Sequence, residues 1–239
     1  MIDDQSQVQH DMEQLVKRSA DISKRIDSAL HRANRMDEPI RIVAVTKYVD
    51  IDTVEKLTKV GYTDFGENRW QVAKSKVEAY RTSIWHFIGP LQRNKVRFVV
   101  PHFAFIHSVD RPELADEISR EALNYGVRPN VLLQVNVSDE PQKSGIDPEN
   151  AFSLVEHCAM LPGLRVLGFM AIGRNTEHAV ESRADFRRLV LLRNDIQQKT
   201  GIILPELSMG MSKDFDIAVE EGATIVRIGR YLVNFDQEL

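Results

Sequence analysis

The sequence predicts an α/β protein: a (β/α)8 TIM-type barrel with an extra N-terminal helix, forming a single domain over residues 1–239. Two observations carry this. From Ile40 onward, short β-branched or aromatic runs alternate with longer amphipathic segments, the signature of βαβ units on a parallel sheet. The runs number eight and the intervening segments seven, which is the complement a closed barrel needs.

Residues 1–39 form the added helix packed on the barrel. Val8, Met12, Leu15, Val16, Ile22, Ile26 and Leu30 recur at helical spacing, and Arg35, Asp37, Glu38 and Pro39 end the pattern. The expected strands are Arg41–Thr46, Thr63–Gly66, Ile84–Ile88, Phe103–His107, Asn130–Val137, Arg165–Ile172, Glu206–Met209 and Ile225–Ile228. Between them lie helices at Ile51–Val60, Arg69–Tyr80, Asn94–Val99, Glu113–Tyr125, Glu149–Leu161, Ala179–Lys199 and Lys213–Glu221. Gly61, Gly126, Gly163, Gly201 and Gly222 directly follow periodic segments and punctuate their ends. Strand count alone does not prove closure, so an open doubly wound sheet is the competing architecture. The barrel makes a sharper demand: chemistry at the C-terminal ends of the strands, and any phosphate near the loops after strands seven and eight.

Composition narrows the function classes. The 239 residues are 43% hydrophobic and 28% charged, and 31 Lys and Arg against 35 Asp and Glu give a net charge of −4. No global field draws nucleic acid or an anionic membrane to such a chain. The small basic run Gln92–Arg97 reads as a solvated helix start. The lone Cys158 excludes an intramolecular disulfide and suits a reducing compartment. The N-terminus lacks both an apolar leader core and an Arg-rich transit pattern, and no stretch approaches a membrane span, so a cytoplasmic protein is expected. Asn136-Val137-Ser138 matches a glycosylation sequon by chance in that setting. His102, His107, His157 and His178 have no metal-ligand spacing, and no metal is expected.

The residues that carry chemistry fall where the barrel demands them. Strand one ends in Val43-Ala44-Val45-Thr46-Lys47, which delivers an amine to the mouth. Partial desolvation and neighbouring cations free such an amine to attack an aldehyde. Strand seven runs into Leu207-Ser208-Met209-Gly210-Met211-Ser212-Lys213-Asp214, two hydroxyls and a glycine before a helix start, a natural anion site. Strand eight ends Val226-Arg227-Ile228-Gly229-Arg230, where Gly229 permits close backbone approach and Arg230 adds charge. A lysine on strand one facing a phosphate cup made by strands seven and eight describes a cradle for pyridoxal phosphate.

The runs Val43–Lys47 (VAVTK), Gly66-Glu67-Asn68-Arg69, Trp85–Lys95 (WHFIGPLQRNK), Ser208–Asp214 (SMGMSKD) and Val226–Gly229 (VRIG) resemble, in order, the pyridoxal phosphate homeostasis protein family. The resemblance implies a fold like the barrel domain of alanine racemase, and a Schiff base on Lys47. It implies a phosphate held by Ser208, Ser212 and the backbone of Gly229 and Arg230, with Met209 on the same turn. It also implies that Arg227, rather than a carboxylate, faces the pyridine nitrogen, with Asn68 and His86 around the ring. The chain departs from the family at Arg230, where a hydroxyl residue is usual, so the Arg230 side chain either contacts the phosphate or points outward. The run Glu140–Gly145 after strand five also resembles the family and is expected to form a lid at the rim.

The leading expectation is a monomeric carrier or buffer of pyridoxal 5′-phosphate in vitamin B6 homeostasis, passing the cofactor to apo-enzymes with little or no turnover and no catalytic residue. A pyridoxal-phosphate-dependent amino-acid racemase is the alternative, but it needs a group on the far cofactor face, and only ten residues follow Gly229. A cofactor-free Schiff-base aldolase on the same barrel is the third reading.

Overall fold

The computed structural model describes residues 4–138, 144–174 and 178–233. Eight parallel strands close into a barrel in sequence order. They are β1 (Arg41–Val45), β2 (Asp64–Glu67), β3 (Ile84–Phe87), β4 (Phe105–Val109), β5 (Asn130–Gln134), β6 (Arg165–Met170), β7 (Glu206–Ser208) and β8 (Ile225–Ile228). Closure is made by β1 against β8, with Val43 opposite Arg227 and Ala44 opposite Ile228. The open-sheet alternative is thereby excluded.

Period-two alternation sorts the strand residues onto two surfaces. Val43, Leu132, Met170 and Ile225 fill the lumen together with half-buried Leu167. Ala44, Phe65, Trp85, Ile106, Phe169 and Val226 belong to the larger core shared with the helices. Those helices are α1 (Asp4–Arg32), α2 (Ile51–Val60), α3 (Trp70–Ala79), α4 (Val96–Val99), α5 (Pro112–Tyr125), α6 (Ala151–Ala159), α7 (Arg183–Thr200), α8 (Phe215–Glu221) and α9 (Arg230–Val233). Among the described residues, no helix is long and apolar enough to cross a membrane.

Helix α1 lies along α2, α8 and α9 and buries Leu15, Ile22 and Ala29 completely. Val8 and Val16, assigned by periodicity to the buried stripe, are instead about half exposed, at 47% and 53%. The helix grips α9: Arg18 donates to the Tyr231 carbonyl at 3.1 Å, and the Tyr231 hydroxyl donates to Asp21 at 2.5 Å. It thus positions α9, which opens at the barrel mouth.

Most expected boundaries hold within two residues; the helix expected from Ala179 opens as a 3-10 turn, Ala179–Ser182, with α7 starting at Arg183, and other shifts have identifiable causes. The fourth strand begins at Phe105 rather than Phe103, because Phe103 still bonds back to the Val99 carbonyl at the end of α4. The fifth stops at Gln134, and Val135 pairs as an isolated bridge with Ile146. The expected helix at Asn94–Val99 is a 3-10 turn, Arg93–Lys95, followed by four α-helical residues. Helix α9 was not anticipated, since four residues are too few to display a period. Most of the expected lid falls at 139–143, outside the described residues.

Gly163 does not cap a helix, since α6 ends earlier with Met160 as its cap; a Cβ there would lie 2.2 Å from the Ser119 carbonyl oxygen. Gly168 is tighter still. Its φ is +154°, and a Cβ would sit 1.8 Å from the carbonyl oxygen of Glu206 across the β6–β7 pairing. Gly168→Ala is therefore expected to lose at least about 2 kcal/mol of stability. Urea unfolding measures it; a midpoint equal to that of the parent would show that the β6–β7 approach yields without cost.

Candidate binding site at the barrel mouth

A cavity of about 800 Å³ opens among the loops that leave β1, β6, β7 and β8. Val45 and Lys47 line it from β1, Gly173 and Arg174 from the loop after β6, Met211 to Asp214 from the loop after β7, and Arg227, Gly229 and Arg230 from the end of β8. Lys47 is half-buried, two residues beyond Val45 on the same side of the chain, and its Nζ stands 4.9 Å from the ring centre of Tyr48. Five cationic side chains, Lys47, Arg174, Lys213, Arg227 and Arg230, face the cavity with one carboxylate, Asp214. In a chain of net charge −4, this is a local concentration of positive charge that selects an anionic ligand.

The wall made by the last two loops is built around Ser212. Its Oγ accepts from the backbone N–H groups of Gly229 and Tyr231, each at 3.3 Å. Hydroxyl and amides thus converge on the first turn of α9, beside the exposed Arg230 side chain. The loop itself is held by Asp214, whose Oδ1 accepts from the Met211 amide at 2.7 Å, and burial raises the Asp214 carboxyl above its usual range.

Arg227 forms the floor. It is 4% exposed, and it donates from Nη1 to the Ser208 carbonyl at 2.7 Å and to Ser208 Oγ at 2.6 Å, and from Nη2 to the Ala171 carbonyl at 2.9 Å. Burial pulls its pKa down to about 10 despite the opposing charge of Asp214, which leaves it a cation at neutral pH.

Of the nine residues assigned from sequence, Lys47, Ser212, Arg227, Gly229 and Arg230 line this cavity, and Asn68, His86, Ser208 and Met209 do not. Asn68 is half-buried beyond β2, its backbone closely packed over Gly89. Met209 points into the outer core and is fully buried. His86 and Ser208 lie in the lumen, fully buried and engaged with each other's neighbours: His86 Nδ1 is 2.9 Å from His107 Nε2, and His107 Nδ1 is 2.9 Å from Ser208 Oγ. At its other side His86 Nε2 meets Asp64 Oδ1 at 3.0 Å.

Sequence reasoning passed over Arg174 and two supporting groups. Arg174 is held toward the cavity by a two-pronged pairing with buried Asp185, at 2.7 and 3.1 Å. Behind β1, Glu67 accepts from the Thr46 hydroxyl at 2.7 Å and from Lys76 at 2.8 Å, while Lys76 also donates to the Thr46 carbonyl at 2.7 Å. This clamp fixes the backbone immediately before Lys47. The carboxylate-to-lysine spacing from strand two to its helix was the available signal.

The alanine racemase N-terminal domain family matches residues 20–235, so fold and mouth together define a barrel of that class. The pyridoxal phosphate homeostasis proteins of Aquifex aeolicus and Pseudomonas aeruginosa are each 41% identical to the chain, which aligns over 90% and 92% of its length with 96% and 95% of theirs. The structure of PipY from Synechococcus elongatus PCC7942 with PLP bound superposes with a TM-score of 0.76 at 34% identity, over 87% of this chain and 99% of that one. A Bifidobacterium adolescentis protein superposes with a TM-score of 0.87 at 33% identity, over 97% of each chain. The chain belongs to the pyridoxal phosphate homeostasis protein family.

The buried histidines predict a pH dependence. Burial lowers the pKa of His86, outweighing the pull of Asp64, and lowers that of His107 well below its usual value. In the unfolded chain both titrate near 6.5, so below about that pH the unfolded state takes up protons that the folded state refuses. Stability should be fully present above pH ~6.5 and decline below it, by up to about 1.4 kcal/mol per pH unit for each ring. Urea midpoints at about pH 7.5 and about pH 5.5 test this; equal midpoints would mean the rings titrate alike in both states.

Proposed function

We propose that the chain binds pyridoxal 5′-phosphate covalently through the Lys47 amine and carries or buffers it in the cytosol as a monomer, passing it to apo-enzymes with little or no turnover of its own. The observation that carries the reading is a half-buried primary amine facing a cavity with four other cations, whose floor is a buried arginine. The donor set fits the group: an amine for the aldehyde, Ser212 with the Gly229 and Tyr231 amides for the phosphate, and Arg227 for the ring nitrogen. Relatives named for pyridoxal phosphate homeostasis, and a neighbour determined with PLP, support it.

When bound, the cofactor supplies an electron sink whose strength depends on protonation of its ring nitrogen. The chain's own residues act against that. Arg227 is immobilised by three hydrogen bonds and remains cationic, so a nitrogen beside it is disfavoured from taking a proton. Lys47 binds, the Ser212 wall orients the phosphate, and the Thr46–Glu67–Lys76 clamp keeps the amine in register. Arg230 adds charge at the phosphate end from the first turn of α9.

Two measurements test this. Lys47→Ala should lose the visible absorbance of protein mixed with the cofactor, and its loss on borohydride treatment, while weak binding persists through Ser212 and Arg227. Undiminished absorbance would move the linkage to another lysine. Arg227→Glu should weaken cofactor binding, because it removes a cation and adds a like charge near the phosphate. It should also raise the rate of alanine α-proton exchange per bound cofactor, because a carboxylate supports ring protonation. Unchanged affinity with unchanged exchange would show that Arg227 does not touch the ring.

A further inference from the structure

The lumen of the barrel contains an uninterrupted file of polar groups, of which Arg227 alone reaches the cavity at the mouth. It runs from Arg41 and Asp64 at the N-terminal ends of β1 and β2, through His86 and His107 on β3 and β4, to Ser208 on β7 and Arg227 on β8. Every link is between 2.6 and 3.0 Å. Buried polar groups are ordinarily paired, but a file crossing a barrel from floor to mouth is not needed for packing, which Val43, Leu132 and Met170 already supply.

The two ends fix the direction of every link. Asp64 is a carboxylate: burial alone would raise its pKa, but bonds from His86, Arg41 and Thr63 hold it down to about 2. A carboxylate only accepts, so His86 Nε2 must carry the proton toward it. Burial favours the neutral ring, so His86 Nδ1 is bare and accepts from His107 Nε2–H. His107 is likewise neutral, so its Nδ1 is bare and accepts from the Ser208 hydroxyl. The Ser208 oxygen in turn accepts from Arg227, a group that only donates. A cation at the mouth and an anion at the floor thus polarise four hydrogen bonds in one sense, and polarised chains strengthen each member.

We propose that His86 and His107 are positioning residues that act through Ser208 on Arg227, a directed chain anchored on Asp64 setting the place and hydrogen-bonding state of the guanidinium beneath the cavity. On this assignment the Ser208 hydroxyl is committed to His107 and Arg227 inside the lumen. Its effect on a bound ligand is exerted through Arg227. The functional consequence rests on the reading of the mouth as a pyridoxal phosphate site; the direction of the chain does not.

The test has two arms. Imidazole nitrogen–proton correlation NMR on the full chain without cofactor should find both rings neutral and protonated on Nε2 at neutral pH. A proton on Nδ1 of either ring, or a doubly protonated ring, overturns the directed chain whatever the cavity binds. The second arm compares two replacements of one ring by their affinity for pyridoxal 5′-phosphate. His107→Gln keeps one donor and one acceptor and should stay within about twofold of the parent, whereas His107→Phe fills the space without bonding and should bind about tenfold more weakly. A merely space-filling histidine predicts the reverse order, and that result overturns the positioning role. If His107→Phe does not fold, Ser208→Ala takes its place: it removes one hydroxyl, and should leave the His86 Nε2 proton unmoved while the His107 Nδ1 resonance shifts. A His107 Nδ1 resonance that does not move contradicts the Ser208 link. Failure of the parent itself to bind the cofactor would sink the proposed function and leave the first arm standing.

Discussion

The hydrogen bonds between β1 and β8 hold this protein's chemistry together. They bring the two ends of the barrel sequence into register, Arg41 with Ile225 and Val43 with Arg227, so that residues about 180 positions apart share one mouth. Lys47 leaves one strand of that pair, and Gly229 and Arg230 leave the other. An open sheet with the same strands would put β1 and β8 on different edges or beside different neighbours, and Lys47 would not share a cavity with Gly229 and Arg230. The supporting groups serve this juncture from both sides. Lys76 and Glu67 grip the Thr46 backbone behind β1, and α1 grips Tyr231 behind β8. The N-terminal helix therefore supports the cavity's architecture, although none of its described residues lines it.

A second constraint is the mixed character of the lumen. Apolar side chains, Val43, Leu132, Met170 and Ile225, share it with the file that runs from Asp64 to Arg227. Charges removed from water are costly unless their bonding capacity is met, and a half-satisfied network is worse than none. Here each member has its partners, and the cation at the top and the carboxylate at the bottom stabilise the same arrangement. The cost of burying Arg227 appears as its lowered pKa, and the paired file keeps that cost from expelling the group.

The barrel was legible because periodicity records which surface a residue faces, and eight β-branched runs separated by amphipathic segments admit few topologies. The cavity lining was legible where a residue type carries its own chemistry: Lys47 after the first strand, and Ser212, Arg227, Gly229 and Arg230 at the last two. Partners distant in sequence were not legible. Nothing about His86 or Ser208 in isolation distinguishes a residue at the mouth from one in the lumen, because both positions share the inward face and differ only in depth. Arg174 is aimed by Asp185, eleven residues later on the following helix, and its loop has no periodic signal. Val8 lies ahead of Leu15, the first buried residue of α1, where the apolar pattern runs on past the contact, whereas Val16 adjoins Leu15 about 100° round the helix and falls outside the buried stripe of Leu15, Arg18, Ile22 and Ile26.

The proposed function depends on the amine at the end of β1 being the one that meets the cofactor. Borohydride reduction of the protein after mixing with pyridoxal 5′-phosphate, followed by proteolysis and mass spectrometry of the peptides, locates that nitrogen directly. A pyridoxyl-phosphate mass on the peptide containing Lys47, and on no peptide containing Lys213 or Lys95, is the predicted result. A label on either of those lysines in place of Lys47, or no label at all, would contradict the account.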